Sequence, residues 1–518
     1  MRLVRREGRG DLQVSAADAG AAVSESGMGE LGMGPNLRQA CWIPHWKDNM
    51  AQRGVCRKMV LWGASVTDFS LRRCTLRSEF LQSGLVIDRG LNESLSMLRK
   101  LNISRFKTIK SEQLEFGRVN LFIGGNGAGK SNILEAIGLA SACFDRGLGD
   151  SDLARKGMRL TPPELMKSSF KGDELPKTLE LRAEFDEGVV YRCQLQSSER
   201  DPLLRFFSEK AEVGGSVAFG RSHRGARAVG VSHLDRLEKS RGMWDQIRLF
   251  YEDIPEKVGD VFAEFSRYVI YSPQTDFLRG RQSGRVDVPP IGLHGEGLTS
   301  AVENILRQWN LVRERRDDPV RSLIRSCLDL AYLPGWASSF GTSSRRKALT
   351  SKDLVQSAGK SVYFLDRFMR EDRNRLSAYD SSEGTLFLLF SAIILSDPSA
   401  PKIFALDNVD NALNPLLTRR LVEQIIKVTR REWGESGEYG ARQVFLTSHN
   451  PTALDAFDLF DDEQRVFVAY RSNKGHTKVT RLVPPKGKSR DEWNIASGGR
   501  NLSELWLEGE IPNALGKI

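Results

Sequence analysis

An α/β fold, with a mixed central sheet flanked by helices, is predicted by three features of the chain. Gly124-Gly125-Asn126-Gly127-Ala128-Gly129-Lys130-Ser131 meets the pattern G-x-x-x-x-G-K-[ST] at every fixed position. Ile403-Phe404-Ala405-Leu406-Asp407 is an apolar run that ends in an acid. Gln443-Val444-Phe445-Leu446-Thr447-Ser448-His449 is a strand pattern that ends in a histidine.

The glycine loop has the flanks it needs. Val119-Asn120-Leu121-Phe122-Ile123 reads as a buried strand, and Asn132-Ile133-Leu134-Glu135-Ala136-Ile137 starts a helix with apolar residues at helical spacing. A strand, a glycine loop and a helix N-terminus in that order aim backbone N–H groups and a helix dipole at a polyphosphate. Lys130 would reach the β- and γ-phosphates, and the Ser131 hydroxyl would ligate Mg²⁺. These residues point to nucleoside triphosphate binding. Asp407, at the end of its apolar strand, would hold Mg²⁺ directly or through water. Some 280 residues separate it from the loop, far more than a compact hexameric motor uses. Between the two lies Ser381-Ser382-Glu383-Gly384-Thr385, which opens the apolar segment Leu386-Phe387-Leu388-Leu389-Phe390. A small hydroxyl (Ser382) and a glycine (Gly384) at a helix start make a second anion site.

The order of glycine loop, serine-glycine helix start, acid-ended strand and histidine-ended strand resembles the ABC-type ATPases. It is most similar to the soluble ATPase heads of the RecF, SMC and OLD (overcoming lysogenization defect) group, over roughly residues 97–510. The resemblance implies a P-loop fold with an ABC-type head, an antiparallel β-subdomain and a helical lid insertion. It implies ATP and Mg²⁺ as cofactors, with Gly124, Asn126, Gly127, Gly129, Lys130 and Ser131 around the phosphates. It implies that two heads pair head to tail around ATP, so that Ser382 and Gly384 contact the γ-phosphate bound on the opposite subunit. His449 takes the place of the family's switch histidine at the γ-phosphate. Gln274, in Tyr271-Ser272-Pro273-Gln274-Thr275, takes that of the Q-loop glutamine that senses Mg²⁺ and water. Phe106 sits on the strand that leads towards the nucleotide in related heads, where a core aromatic role is expected. ATP is preferred over GTP through the family; no N-K-x-D motif is apparent.

One position departs from the family. A glutamate commonly follows the Walker-B aspartate and polarises the attacking water; here that residue is Asn408. An amide orients water through its carbonyl but does not accept the proton. Either hydrolysis is slow and switch-like, or Asp410 supplies the carboxylate.

Composition sets bounds. Charged residues at 27% and apolar residues at 40% are ordinary for a globular chain, and 518 residues bury a substantial core. No window approaches the ~18–20 apolar residues that cross a bilayer, so no membrane partner is expected. Cys41, Cys56, Cys74, Cys143, Cys193 and Cys327 are scattered without a C-x-x-C pair, which suggests neither a disulfide framework nor a zinc site. A reducing, cytoplasmic location fits that usage. The net charge of +10 makes DNA a candidate partner without establishing one. Much of the excess is clustered. Arg221, Arg224 and Arg227 are expected in a glycine-containing loop, Arg313, Arg315 and Arg316 in a helical stretch, and Arg345-Arg346-Lys347 in another loop.

Residues 1–96 read differently from the rest, with glycine, alanine and arginine in no sustained period. The expectation is an upstream segment ahead of a true start at Met97, or else a disordered extension. An N-terminal half of the ATPase domain follows over 97–177. The β-subdomain and helical insertion occupy 178–360, with strand alternation at 178–212 and helical patterns at 233–268 and from Leu298 to about Leu333. The C-terminal half spans 361–518 and opens on the strand Ser361-Val362-Tyr363-Phe364-Leu365. Asp287 to Leu293 reads as a linker or lid, and residues 466–482 as a hairpin. No sustained heptads occur, so a long SMC-type coiled coil is not expected. The tail after His449 shows no clustered acids resembling a Toprim metal site, so any nuclease would be a separate polypeptide.

Three functions are compatible with these residues. One is an Mg²⁺-dependent ATPase that dimerises on ATP and couples to a partner, with a nuclease effector in a bacterial defence system as the candidate. The second is a nucleotide-gated scaffold with negligible turnover. The third is a RecF-like DNA repair ATPase.

Overall fold

In the computed structural model the described residues are 97–198, 201–230, 234, 237–248, 256–282, 284–344, 360–431, 433–434, 437–485 and 487–513. The expectations for residues 1–96 and for the basic run Arg345-Arg346-Lys347 lie outside them.

The chain opens with the hairpin β1 (Leu98–Phe106) and β2 (Ile109–Glu115), then the wholly buried β3 (Val119–Ile123) and helix α1 (Lys130–Ala142). Strands β4 (Thr178–Phe185), β5 (Val189–Ser198), β6 (Asp201–Val213), β7 (Ser216–Ser222) and β8 (Gly225–Ala228) form a meander. Helix α2 (Glu256–Phe265) and strand β9 (Val269–Tyr271) lead to helices α3 (Leu298–Val312) and α4 (Pro319–Leu328). Strands β10 (Ala337–Ser344), β11 (Lys360–Asp366) and β12 (Arg375–Ser377) precede helix α5 (Glu383–Ser396) and strand β13 (Ile403–Leu406). Helix α6 (Pro415–Thr429), strand β14 (Gln443–Ser448) and the hairpin β15 (Gln464–Arg471) and β16 (Thr477–Leu482) follow.

Among the described residues these strands form three sheets. The first is antiparallel, in the order β2-β1-β4-β5-β6-β7-β8, and draws strands from both sides of residue 178. The second, β10-β11-β12, is a small antiparallel sheet. The third is the mixed central sheet β16-β15-β3-β14-β13-β9, in which β15, β3, β14, β13 and β9 run parallel and β16 returns antiparallel at one edge. Its strands are near-continuous apolar runs because helices or the second layer cover both faces. On one side Phe122, Phe445 and Phe467 pack with Ile133, Leu134 and Ile137 of α1 and with Leu101, Leu181 and Cys193 of the antiparallel sheet. On the other, Leu121, Leu406 and Leu446 pack with α3, α4, α5 and α6. Helix α5 is apolar around its whole circumference and buried from Thr385 to Ser396, which explains the uniform run Leu386 to Leu395. No described helix is long and apolar enough to cross a membrane.

The period-2 reading of residues 178–212 holds: β4 alternates buried and half-buried along its whole length. The hairpin at 466–482 is β15 and β16, and Phe106 is fully buried. Of the region expected to be helical at 233–268, the described part holds α2 and the short helix Met243–Ile247.

Two basic clusters sit elsewhere than expected. Arg221, Arg224 and Arg227 lie on a hairpin, with Arg221 in β7 and Arg227 in β8, and only Arg224 in the turn between them. Arg221 is buried against Glu209, whose other oxygen accepts from the Tyr191 hydroxyl at 2.6 Å. Helix α3 stops at Val312, so Arg315 and Arg316 lie beyond it in a turn. The cause is the start of α4, where the Asp318 side chain accepts from the Val320 N–H at 2.8 Å and Pro319 takes the first helical position. A residue before proline is driven out of the helical region, so α3 cannot run through Asp318.

Candidate nucleotide site

Parallel strands deliver their C-terminal ends to one edge of the central sheet, where ligands of open α/β sheets bind. The exit of β3 gives the glycine loop, that of β13 gives Asp407, that of β14 gives His449, and that of β9 leads to Gln274. The order β3-β14-β13-β9 therefore gathers residues separated by hundreds of positions in the chain.

The loop holds three glycines with positive φ, Gly124, Gly127 and Gly129, and two of them are closely packed. At Gly124 (φ 153°) a Cβ would lie 2.0 Å from the Ala469 carbonyl oxygen of β15. At Gly129 (φ 101°) it would lie 2.1 Å from the Thr477 Oγ1 of β16. The C-terminal hairpin thus backs the loop, and Thr477 also donates to the Ala128 carbonyl at 2.9 Å. Gly125, Asn126 and Gly127 form the exposed lip. Helix α1 begins at Gly129 without a side-chain cap or an acid in its first turn, so its leading N–H groups and dipole face the loop.

The Lys130 Nζ donates to the carbonyls of Gly124 at 2.7 Å and Gly125 at 3.1 Å, and lies 3.2 Å from Nδ1 of His449. Burial lowers its pKa to about 8, against the opposing pull of Asp407 and Asp410. A bound polyphosphate supplies the anion that this half-desolvated ammonium lacks. Burial and the neighbouring ammonium hold the His449 pKa below the ordinary imidazole value. Assigning the Nδ1 as acceptor from Lys130 leaves the proton on Nε2, free to donate elsewhere.

Ser131 Oγ donates to Asp407, at 3.0 Å to Oδ2. Thr447 Oγ1 donates to Asp407 Oδ1 and accepts from the Asn408 N–H at 2.8 Å. Thr447 thus fixes both the carboxylate and the turn that follows it, a role the motifs do not assign. Its only signal in the sequence is a hydroxyl two residues before His449 on the same strand. Asn408 itself is exposed, with a left-handed φ of 56° that asparagine tolerates better than most residues. Asp410 Oδ2 accepts from the backbone N–H of Asn450 at 3.0 Å and of His449 at 3.2 Å. It therefore holds the exit of β14 that carries His449.

Behind α1 lies a polar network that the motifs do not announce. Glu135 receives Lys107 Nζ at 2.6 Å and Arg159 Nε at 2.8 Å, and Arg159 also reaches the Asn132 Oδ1 at 2.6 Å. Asn132 donates to the Thr108 Oγ1 at 2.6 Å, and Thr108 bonds Thr477 at 2.7 Å. Burial opposes ionisation of Glu135, yet Arg159 and Lys107 together hold its carboxyl below the usual range. Burial lowers the Lys107 pKa, Glu135 opposes that shift, and the neighbouring Arg159 guanidinium adds to it. The chain from Lys107 to Thr477 ties the β1–β2 turn, α1 and β16 to the floor of the loop.

The candidate second anion site is assembled separately. Ser382 caps α5: its Oγ accepts from the Thr385 N–H at 3.3 Å and bonds the Thr385 hydroxyl at 2.6 Å. A Cβ on Gly384 would lie 2.7 Å from the Ala412 carbonyl oxygen, so the helix start presses on the segment that follows Asn408. Glu383 is hydrogen-bonded by the Thr275 hydroxyl, immediately after Gln274, which couples the Q-loop position to this helix start. The Gln274 side chain is exposed, and its backbone N–H donates to the His294 carbonyl at 2.9 Å. Among the described residues, no hydrogen bond joins Ser382 or Gly384 to the glycine loop of the same chain.

The donor set fits a nucleoside triphosphate with Mg²⁺. One hydroxyl (Ser131) and one carboxylate (Asp407) converge, both hard oxygen donors, next to an ammonium and a helix N-terminus. No group of three or more His, Cys, Asp or Glu able to cage a metal occurs among the described residues. Mg²⁺ shared between one or two protein oxygens and phosphates needs no such cage.

A family model described as "AAA domain, putative AbiEii toxin, Type IV TA system" matches residues 119–455, well over half of the chain and every strand that feeds the site. The chain belongs to this family. It is accordingly a P-loop ATPase of the AAA type. Among solved structures it is similar to an SMC head bound to the C-winged helix domain of ScpA, at 14% identity and a TM-score of 0.42, over 76% of this chain and 99% of that one. The SMC head domain from Thermotoga maritima matches at 14% identity and 0.35, over 74% and 98%. The recombination mediator protein RecF of the RecFOR pathway matches at 13% identity and 0.31, over 75% and 98%. No curated protein matches the chain.

Proposed function

We propose that two copies of this ATPase pair head to tail on ATP and Mg²⁺, hydrolyse it slowly, and pass the nucleotide state to a separate effector protein. The observation that supports the reading is the separation of the two helix starts, at Lys130 and at Glu383. Lys130, Ser131 and Asp407 form one converged set, while Ser382 and Gly384 form a second set, with Ser382 exposed and no hydrogen bond to the first among the described residues. A second copy rotated by a two-fold axis would bring each set to the other's partner, and such isologous pairing is the commonest way a chain dimerises.

Within one head, Lys130 would carry the charge of the terminal phosphate, and Ser131 and Asp407 would hold the metal. Bound Mg²⁺ neutralises charge developing on the phosphate oxygens. His449 would offer its Nε2 proton to the terminal phosphate. Asn408 would position water through its amide oxygen without removing the proton, which makes turnover slow. The family's description as a putative toxin supports an effector pathway, and a nuclease partner in a defence system is the form we favour.

Two variants test this reading. Ser382→Arg places a bulky cation at the exposed helix start, and light scattering is expected to show only monomer with ATP while the monomer still binds nucleotide. An unchanged ATP-dependent dimer mass would sink the shared-site arrangement. Asn408→Glu is expected to raise steady-state turnover at least about tenfold, because a general base contributes ~10²–10⁴. It should also lose about 1–2 kcal/mol of stability, since glutamate fits the left-handed backbone at 408 poorly. A rate equal to that of the unaltered chain would favour the nucleotide-gated scaffold instead.

A further inference from the structure

We infer that Trp336 and Thr385 are positioning residues that fix the Ser382 hydroxyl as an outward donor, ready for a phosphate held by the second copy. The inference rests on the head-to-tail pairing proposed above and specifies what prepares one half of the shared site.

Hydrogen-bond accounting along one relay carries it. An indole N–H only donates, so where Trp336 Nε1 meets Thr385 Oγ1, at 3.0 Å, the hydroxyl accepts. Thr385 is fully buried, and the other partner of its Oγ1 among the described residues is Ser382 Oγ, at 2.6 Å. A buried hydroxyl proton left without an acceptor costs free energy, whereas water accepts from an exposed one. Thr385 therefore gives its proton to Ser382, which is exposed. Ser382 Oγ also accepts from the Thr385 N–H at 3.3 Å. Both of its acceptor positions are then engaged from the helix side, and the bond left to make is through its own proton, directed away from α5. Each donation received along such a chain strengthens the next.

The backbone around the relay is tied down, so the hydroxyl rotor is the freedom that the relay removes. Ser381 Oγ donates to the Ser377 carbonyl at 2.7 Å, and Arg279 donates to the Ser381 carbonyl at 3.3 Å. Trp336 is held in turn. Its carbonyl accepts from the Arg367 N–H at 3.0 Å, and its ring packs against Phe364 with centroids 5.5 Å apart. Trp336 stands directly before β10, where the chain returns from α3 and α4. The helical insertion thus reaches Ser382 through one indole N–H.

The direction of the relay selects the ligand. Ionised phosphate oxygens only accept. A Ser382 that spent its proton on Thr385 would face them with lone pairs and repel them. With the proton turned outward, the same hydroxyl makes a charge-assisted hydrogen bond to an anion, beside the leading N–H groups of α5.

The test uses the full chain with ATP and Mg²⁺. Light scattering over a concentration series gives the dimer constant, and a fluorescent ATP analogue titrated into dilute protein gives the affinity of single heads. Trp336→Phe keeps most of the packing and removes the donor, while Thr385→Val removes the relay hydroxyl. Each is expected to weaken the dimer about tenfold, because a dimer holds two such sites and one neutral hydrogen bond is worth a factor of about 2–10. Single-head affinity for the analogue is expected to stay the same. Thr385→Ser keeps the hydroxyl and should hold the dimer constant within about threefold of the unaltered chain. The deciding comparison is made in a Ser382→Ala background. There Trp336→Phe is expected to have no further effect on the dimer, whereas a purely structural contribution would weaken it as much as before. Suppose Ser382→Ala weakens the dimer while Trp336→Phe and Thr385→Val do not, or their effects persist in full without the Ser382 hydroxyl. Either result would overturn the inference and leave the head-to-tail reading standing. An unchanged dimer in Ser382→Ala itself would instead count against that reading, and the inference would fall with it.

Discussion

Glu135→Ala is expected to lower the stability of the ATPase domain by about 3–5 kcal/mol, the usual result of removing one partner from a buried ionic cluster. The Glu135 side chain is 3% exposed and the Lys107 side chain 8%, so the ammonium left behind has no ready route to water. Arg159, at 63%, is able to rehydrate, which places the loss nearer the lower end of that range. Urea unfolding followed by circular dichroism measures it directly. Glu135→Gln, which keeps the shape and removes the charge, is expected to lose most of the same amount. A shift below about 1 kcal/mol for either variant would mean that the cluster is solvated in solution. Because Asn132 and Thr477 continue the network to the floor of the glycine loop, nucleotide affinity should fall along with stability.

Lys130→Ala is expected to leave folding nearly intact while reducing ATP turnover by about 10²–10³, the size of effect seen when a fixed donor to developing charge is removed. Its ammonium donates to two loop carbonyls and to His449 Nδ1, none of which holds an element of the fold in place, so the surrounding backbone loses little when it is removed. Lys130→Arg should not rescue the rate, since a planar guanidinium does not occupy the position of a compact ammonium. Phosphate release measured alongside the unfolding midpoint separates the two effects. A variant that keeps its midpoint and more than about a tenth of its turnover would contradict the assigned role.

The frame of the site is legible in the sequence because its signals are local. A glycine loop announces itself through backbone conformation, and the apolar runs before Asp407 and His449 mark strands buried on both faces. The helix start at Ser382 carries its own cap. The remaining features depend on contacts across the chain. Thr447 clamps Asp407 from a neighbouring strand, and Lys107, Glu135 and Arg159 meet only once the β1–β2 hairpin folds over α1. Asp410 accepts from the backbone of residues 449 and 450, a relation no local pattern encodes. The basic hairpin resembles a loop because Gly220 and Gly225 look like turn residues. Gly225 does begin the turn's return strand, whereas Gly220 lies inside β7 with a would-be Cβ 2.9 Å from the Glu209 carbonyl oxygen.

The most direct test is steady-state ATP turnover by the full chain, with Mg²⁺ and with the metal chelated, beside the Asp407→Ala variant. The convergence of Ser131 and Asp407 predicts slow turnover that requires both the metal and Asp407. Turnover that persists with the metal removed, or in Asp407→Ala, would contradict the assignment of this edge of the sheet as the site of hydrolysis.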